Sequence, residues 1–194
     1  APGTQTSGGT GQIVFAGTST PNWLFLGNGG ATTLTLGPNV TVRGKGEIRQ
    51  SSGSTLINQG TISADVSGQT LTVSPNTFTN SGTLSALNGC TLNINSSTWS
   101  SSGTITVNNS TLNLGGSFTQ AGLAFNRTGG TVSLIGTLSG GLALDATTGS
   151  WNVGGTNNGG TVRGTGGGQL GGNGGRPSGG ALWRKGTRRR AGYT

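Results

Sequence analysis

Histidine and methionine are both absent from this 194-residue chain, and cysteine occurs once, as Cys90. Without histidine the chain has neither a Ser-His-Asp triad nor a Cys-His pair, and it lacks the commonest general base and metal ligand. A single cysteine excludes an intrachain disulfide and a four-cysteine metal site. We therefore expect no metal and no cofactor in this protein.

Charged residues are also scarce, at 7% of the chain, and only three carboxylates occur. No run approaches the roughly eighteen apolar residues that cross a bilayer, so we expect no membrane span. The net charge is +8, but six of the eleven basic residues lie in the last nineteen positions: Arg176, Arg184, Lys185, Arg188, Arg189 and Arg190. Residues 1–175 carry five basic and three acidic groups, a net of +2. We therefore expect no nucleic-acid binding beyond a non-specific contact of the basic end.

Glycine is abundant instead, with 42 residues, and the apolar residues repeat at spacings of 20 or 21 positions. One unit recurs as GQTLTV (68–73), GCTLNI (89–94), NSTLNL (109–114) and GGTVSL (129–134). A second begins at glycine, as QGTISA (59–64), SGTLSA (81–86) and SGTITV (102–107), and continues as AGLAF (121–125) and GGLAL (140–144). A third position holds one large apolar residue per unit: Phe78, Trp99, Phe118 and Leu138.

Each unit thus contains short apolar-polar alternations separated by turn residues, which is the pattern of short strands. Such strands become stable when coils stack and each strand pairs with its counterpart one coil on, about 4.8 Å away. The sequence therefore predicts an all-β fold, a parallel β-helix (β-solenoid) with coils of about 20 residues. Four inward columns are expected: Leu71, Leu92, Leu112, Val132 and Trp151; Val73, Ile94, Leu114, Leu134 and Val153; Ile62, Leu84, Ile105, Leu123 and Leu142; and Ala64, Ala86, Val107, Phe125 and Leu144. We attribute the glycines to positive φ angles at the corners.

The repeat divides the chain into three segments. We interpret residues 1–29 as an N-terminal cap or a first irregular coil, with Trp23 covering the end of the solenoid. Residues 30–170 are predicted to hold the solenoid repeats, and residues 171–194 a Gly-rich basic tail that is expected to be disordered. Uncapped coils would also allow end-to-end self-association.

The units N/S-S-G-T-[IL] and T-L-[TN]-[VIL], found over roughly residues 30–165, resemble the repeats of bacterial secreted β-solenoid proteins. These are the filamentous-haemagglutinin-like and autotransporter-passenger adhesins. The resemblance implies a right-handed parallel β-helix, export across a membrane, and an extracellular or cell-surface location.

A charged run, RGKGEIR (43–49), holds the nearest candidates for catalysis. Its charged residues alternate, so they are expected to project from one side of a strand. For an extracellular hydrolase or polysaccharide lyase on this scaffold, the candidate catalytic residues are Arg43, Lys45, Glu47, Arg49 and Asp65. The alternative is a solvated charged face, with Asp65 and Asp145 stabilising turns at strand ends.

Cys90 and the tryptophans are interpreted through their positions in the repeat. Gln69, Ser110 and Gly130 occupy the places equivalent to Cys90, so Cys90 is expected at a tolerant turn position. Trp99 and Trp151 share columns with apolar residues and are expected in the core.

The most regular surface feature is a pair of outward ladders of small polar residues. Its candidate binding residues are Thr70, Thr72, Thr91, Asn93, Thr111 and Asn113, and Thr131 and Ser133 continue the two ladders. Such a surface suits polysaccharide or a cell-surface glycan, and an array of outward Thr would also suit ice. The alternative is that β-branched hydroxyl residues are favoured on exposed strands. Our leading hypothesis is an extracellular structural or adhesive segment, with the enzyme and the ice- or glycan-binding module as alternatives.

Overall fold

The computed structural model describes residues 3–17, 22–27, 29–159, 161–164 and 170–171, and every regular element in these ranges is a β-strand. The strands lie in three faces, here called sheets A, B and C, and all pair in parallel. Successive strands pass from A to B to C, so that three strands make one coil. The predicted β-solenoid is confirmed, with about seven turns and coils of about 21 residues.

The strands are short and evenly distributed among the three faces. Sheet A contains β1 (Gly3–Ser7), β4 (Thr32–Leu36), β7 (Thr55–Asn58), β10 (Thr77–Asn80), β13 (Thr98–Ser101), β16 (Ser117–Thr119), β19 (Thr137–Ser139) and β22 (Thr156–Asn158). Sheet B contains β2 (Gly11–Phe15), β5 (Val40–Gly44), β8 (Thr61–Ala64), β11 (Thr83–Ala86), β14 (Thr104–Asn108) and β17 (Ala124–Thr128) and, after a break, β20 (Leu142–Leu144) and β23 (Val162–Gly164). Sheet C contains β3 (Trp23–Leu26), β6 (Gly46–Gln50), β9 (Thr70–Val73), β12 (Thr91–Ile94), β15 (Thr111–Leu114), β18 (Thr131–Leu134), β21 (Trp151–Val153) and β24 (Leu170–Gly171). We number the coils so that coil 1 holds β1, β2 and β3.

The core is a stack of equivalent apolar positions. Both inward columns predicted for sheet C are confirmed in register and are buried, except that Val153 is only partly covered. In sheet A the large apolar column is also confirmed, and the rings of Trp99 and Phe118 stack with centroids 4.4 Å apart. Because apolar residues at equivalent positions stack on one another, every coil removes apolar surface from water. This burial is the main stabilisation of such short strands.

Sheet B departs from the predicted register after coil 5. The repeat pattern predicts Leu123 next to Ile105 and Phe125 next to Val107, but Phe125 pairs with Ile105 and Arg127 pairs with Val107. The prediction is therefore wrong by two residues here. Four residues separate β16 from β17 but only two separate β19 from β20, so corners of unequal length shift the alignment.

Sheet B is interrupted between β17 and β20, which do not pair. Leu142 and Leu144 are buried as predicted, but their strand pairs only with β23. The side-chain amide of Gln120 hydrogen-bonds to the unpaired edge of β20. Its Oε1 accepts from Ala143 N at 2.6 Å, and its Nε2 donates to Ala143 O. Arg127 likewise crosses to coil 7, where it donates to main-chain carbonyls. Side chains thus replace part of the missing strand pairing.

A buried ladder of polar side chains lines the corner between sheets A and B. Asn58 Nδ2 donates to Asn80 Oδ1 at 2.7 Å, and Asn80 Nδ2 donates to Ser101 Oγ at 2.9 Å. All three residues are buried. Buried amides are tolerated where their hydrogen bonds are made, so this ladder joins coils 3, 4 and 5.

The glycines that follow this ladder are required for a reason other than φ. A Cβ on Gly82 would collide with the carbonyl oxygen of Gly60, and one on Gly103 would collide with that of Gly82. These three glycines do not have positive φ. Close approach of consecutive coils, and not left-handed backbone, therefore explains this glycine column.

The N-terminal segment follows the same architecture. Strands β1, β2 and β3 lie within residues 1–29 and pair in parallel with β4, β5 and β6. Trp23 is a rung of sheet C and not a cover over its end. Residues 172–194 of the predicted tail lie outside the described residues. No helix long and apolar enough to cross a bilayer occurs in the part of the chain that the structure describes.

Candidate functional site

The two predicted ladders lie in register on the outer side of sheet C, here called the sheet C face. Thr70, Thr91, Thr111 and Thr131 form one ladder. Thr72, Asn93, Asn113 and Ser133 form the second. Except for Thr70, which is exposed, these side chains are half-buried. Strand pairing in constant register, with side chains alternating between faces, places all six predicted binding residues on one side of the solenoid.

The asparagines of the second ladder bond along the solenoid axis. Asn113 Nδ2 donates to Asn93 Oδ1 at 2.8 Å, and Asn93 Nδ2 donates to Thr72 Oγ1 at 3.5 Å. These contacts fix the amide orientations. The ladder therefore presents a pre-ordered row of polar groups to a ligand.

Threonine columns are not special to sheet C. Sheet A carries a column of Thr33, Thr55, Thr77 and Thr98, and sheet B carries one of Thr41, Thr61, Thr83 and Thr104. The recurrence of threonine near the start of strands on all three faces agrees with its strand preference. A threonine column alone does not mark a binding face.

What distinguishes sheet C is a pair of exposed aromatic residues at its N-terminal end. Trp23 is 52% exposed and Phe25 is 47% exposed, whereas Leu26, the last residue of β3, is buried. Positions i and i+2 of a strand project to the same side, so both rings lie on the sheet C face. Trp23 pairs with Glu47, which pairs with Thr72, so Trp23 stands at the head of the Asn93 and Asn113 ladder.

Sequence reasoning missed this aromatic pair. The repeat pattern places Trp23 in a cap and does not single out Phe25. The signal was weak because WLFL (23–26) consists of four apolar residues, and without polar partners alternation cannot tell the outer face from the core. The buried rung partners of Leu24 in later coils, Ile48 and Val73, and the burial of Leu26 itself are what assign the faces.

Arg49 stands beside these rings. Its guanidinium carbon lies 4.4 Å from the centroid of the Trp23 ring and 5.7 Å from that of Phe25. The nearest carboxylate oxygen is Oε2 of Glu47, 4.0 Å from Nη1. Glu47 Oε1 instead accepts a hydrogen bond from Ser74 Oγ at 2.6 Å. We call Trp23, Phe25, Glu47 and Arg49 the aromatic platform.

The structure divides the charged run that was expected on one strand. Arg43 is on β5 in sheet B, Lys45 is at the corner, and Glu47 and Arg49 are on β6 in sheet C. The expectation of a single charged strand side is therefore wrong, because the chain turns at Lys45. Arg43 Nε donates to Asp65 Oδ2 at 2.7 Å, so these two candidates pair with each other on sheet B.

The remaining carboxylates have structural partners. Asp145 Oδ1 accepts from the main-chain N–H of Thr148, from the Thr148 hydroxyl and from the main-chain N–H of Thr147. These bonds lower the pKa of Asp145 and support the predicted turn role. Asp65 pairs with Arg43 instead, and its Oδ1 is buried without a partner among the residues that the structure describes. Glu47 and Asp65 thus lie on different sheets.

Cys90 is in the predicted column but not in an exposed turn. It is 2% exposed, and its Sγ donates to Ala64 O at 2.8 Å. Burial raises the pKa of the thiol above its usual range. Within the described residues, no three His, Cys, Asp or Glu side chains form a cluster that would hold a metal ion.

The chain matches no protein-family model, no curated protein and no solved structure. The site must therefore be judged from its own chemistry.

Proposed function

We propose that this chain is an extracellular structural or adhesive β-solenoid segment that contacts polysaccharide through the sheet C face. The observation that carries the proposal is the exposure of Trp23 and Phe25 on the face that also bears the ordered polar ladder. Exposed apolar side chains grouped at one place on a solenoid signal a contact surface more strongly than single ones.

The chemistry of this face suits sugar rings. The apolar side of a pyranose packs on an aromatic ring, while its hydroxyl groups need donors and acceptors beside that ring. Glu47 and Asn93 supply both kinds of polar group in the coils that follow Trp23. The face is an elongated strip along the solenoid axis, which suits a polymer better than a small molecule.

A binding role agrees better with the side-chain geometry than glycoside hydrolysis does. Paired carboxylates carry most glycoside hydrolysis, and the separation between them defines the mechanism. Here Glu47 is bonded to Ser74 on sheet C, and Asp65 is bonded to Arg43 on sheet B. We accordingly assign the charged run to binding and to ion pairing.

Affinity electrophoresis of the purified chain tests the proposal, with gels containing cellulose derivative, xylan, mannan, chitin derivative or polygalacturonate. We expect at least one polysaccharide to retard the protein. Replacing both Trp23 and Phe25 with Ala should weaken that binding about thirtyfold, since aromatic contacts contribute about 1 kcal/mol each.

The matched control is Val14→Ala, because Val14 is 50% exposed but projects from sheet B. This variant should bind as the unmodified chain does. Three results would overturn the proposal: no retardation by any of the polysaccharides, unchanged binding after the replacement of Trp23 and Phe25, or an equal loss of binding in the Val14 variant.

A further inference from the structure

Arg49 is held in place on the sheet C face but uses few of its hydrogen-bond donors. The Trp23 and Phe25 rings flank its guanidinium, and such cation–π contacts restrain a side chain that would otherwise be mobile. Its Nε is buried without an acceptor among the described residues. Nη1 is 4.0 Å from Glu47, beyond hydrogen-bond distance. The side chain is 36% exposed, so its outer edge faces the surface.

The neighbouring charges leave this position positive. Lys45 lies at the corner immediately before β6, and Glu47 is the one carboxylate on that strand. Glu47 directs one oxygen to Ser74 at 2.6 Å. Two cations and one anion give the area a net charge of +1. By contrast, Arg43 is paired with Asp65, and Arg127 is engaged with four main-chain carbonyls.

We propose that Arg49 binds the carboxylate of an acidic sugar, so that the polysaccharide recognised by the sheet C face is a polyuronate. This inference rests on the proposed polysaccharide contact and names its chemical class. A carboxylate matches the planar fork of an arginine, which holds it by two parallel N–H donors. The aromatic rings place that fork beside the surface on which the sugar ring packs. A uronic acid carries both features, an apolar ring side and a carboxylate, on one residue.

The test compares polygalacturonate with its fully methyl-esterified form. The two polymers share one backbone, and esterification removes only the negative charge. We expect the unmodified chain to bind the acid at least about tenfold more tightly than the ester, because the ester cannot accept the charge-assisted pair of hydrogen bonds from Arg49. Arg49→Gln should abolish that preference, and Arg49→Lys should keep part of it, because lysine retains the charge without the fork.

Arg163→Gln is the matched control, since it removes the same charge from β23 on another part of the solenoid. It should leave the preference for the acid unchanged. Circular dichroism melting of each variant checks that the fold is retained. Dextran sulfate serves as a second anionic probe, and we expect it to bind less tightly than polygalacturonate.

The outcomes separate this inference from the function on which it rests. Equal binding of acid and ester, with no effect of Arg49→Gln, would overturn the acidic specificity but leave Trp23-dependent polysaccharide binding intact. Equal losses in the Arg49 and Arg163 variants, or tighter binding of dextran sulfate, would show a general charge effect and would also overturn it. Binding that is independent of Trp23 and Phe25 would overturn the proposed function itself.

Discussion

At the scale of single residues, side chains of the same type or at neighbouring positions lie in strongly different environments. Asn80 and Asn93 lie in the same coil, yet one is fully buried and the other faces outward. Cys90 is one position from the exposed Gly89 but is itself buried. In a narrow solenoid the step from core to surface takes one residue, so chemistry depends on position within the coil more than on residue type.

Cys90 should therefore be unreactive in the folded protein. Its burial and raised pKa keep the thiol neutral, and the thiolate is the reactive form. We expect Ellman's reagent to label Cys90 at pH 8 only as fast as the surrounding coils open, and at the free-thiol rate in denaturant. Because folding favours the neutral thiol, burial of Cys90 contributes to the free energy of unfolding in full below the ordinary thiol pKa. That contribution is lost as pH rises through the raised pKa of Cys90 in the folded protein. Fast labelling of the native chain would contradict this.

At the scale of strands and corners, the repeat was predictable wherever coil length stays constant. Leu71, Leu92 and Leu112 were placed correctly because identical corners carry the register from coil to coil. The prediction failed at Leu123, where a corner of four residues replaces one of two, and unequal corners leave no sequence signal for the shift. Among site residues, the Thr and Asn ladders were found from alternation, whereas Trp23 and Phe25 were not, since an all-apolar strand has no alternation.

The buried amide ladder gives a prediction at this scale. Asn80→Ala removes the shortest of the three contacts that Asn58 Nδ2 makes with acceptors, removes the donor to Ser101, and leaves a cavity in the corner. We expect the free energy of unfolding to fall by about 1–3 kcal/mol, the range for buried polar groups that lose their partners. Urea unfolding followed by circular dichroism measures the change.

Asn93→Ala is the matched control in the same coil. It also removes an amide from a ladder, but this amide is on the outer face, where water replaces its contact with Asn113. Asn93→Ala should change the free energy of unfolding by no more than about 0.5 kcal/mol. Equal costs for the two variants would mean that the interior ladder has no special role in stability.

At the scale of the whole molecule, stability in a solenoid is a sum over neighbouring coils, so one weak interface divides the array. Sheets A and C continue unbroken from coil 6 to coil 7, but sheet B does not. A surface cleft of about 580 Å³ opens at this break, lined by residues that include Gln120, Leu123 and Gly141. Since it lacks one of its three strand pairings, we expect this interface to be the weakest among the described coils.

The hydrogen bonds of Gln120 to Ala143 strengthen the interface between coils 6 and 7, and their loss should uncouple the coils on either side of it. We expect amide hydrogens in β19–β21 to exchange faster than those in β10–β15, because local opening begins where backbone bonds are fewest. Gln120→Ala should speed exchange in β19–β21 further, by several-fold, while β10–β15 stay unchanged. Gln120→Glu should have a similar effect, since a carboxylate cannot donate to Ala143 O.

Gln69→Ala, at an exposed corner of coil 3, should change neither region. Uniform acceleration along the whole chain would instead show that the solenoid opens as one cooperative unit, and that the break in sheet B does not divide it.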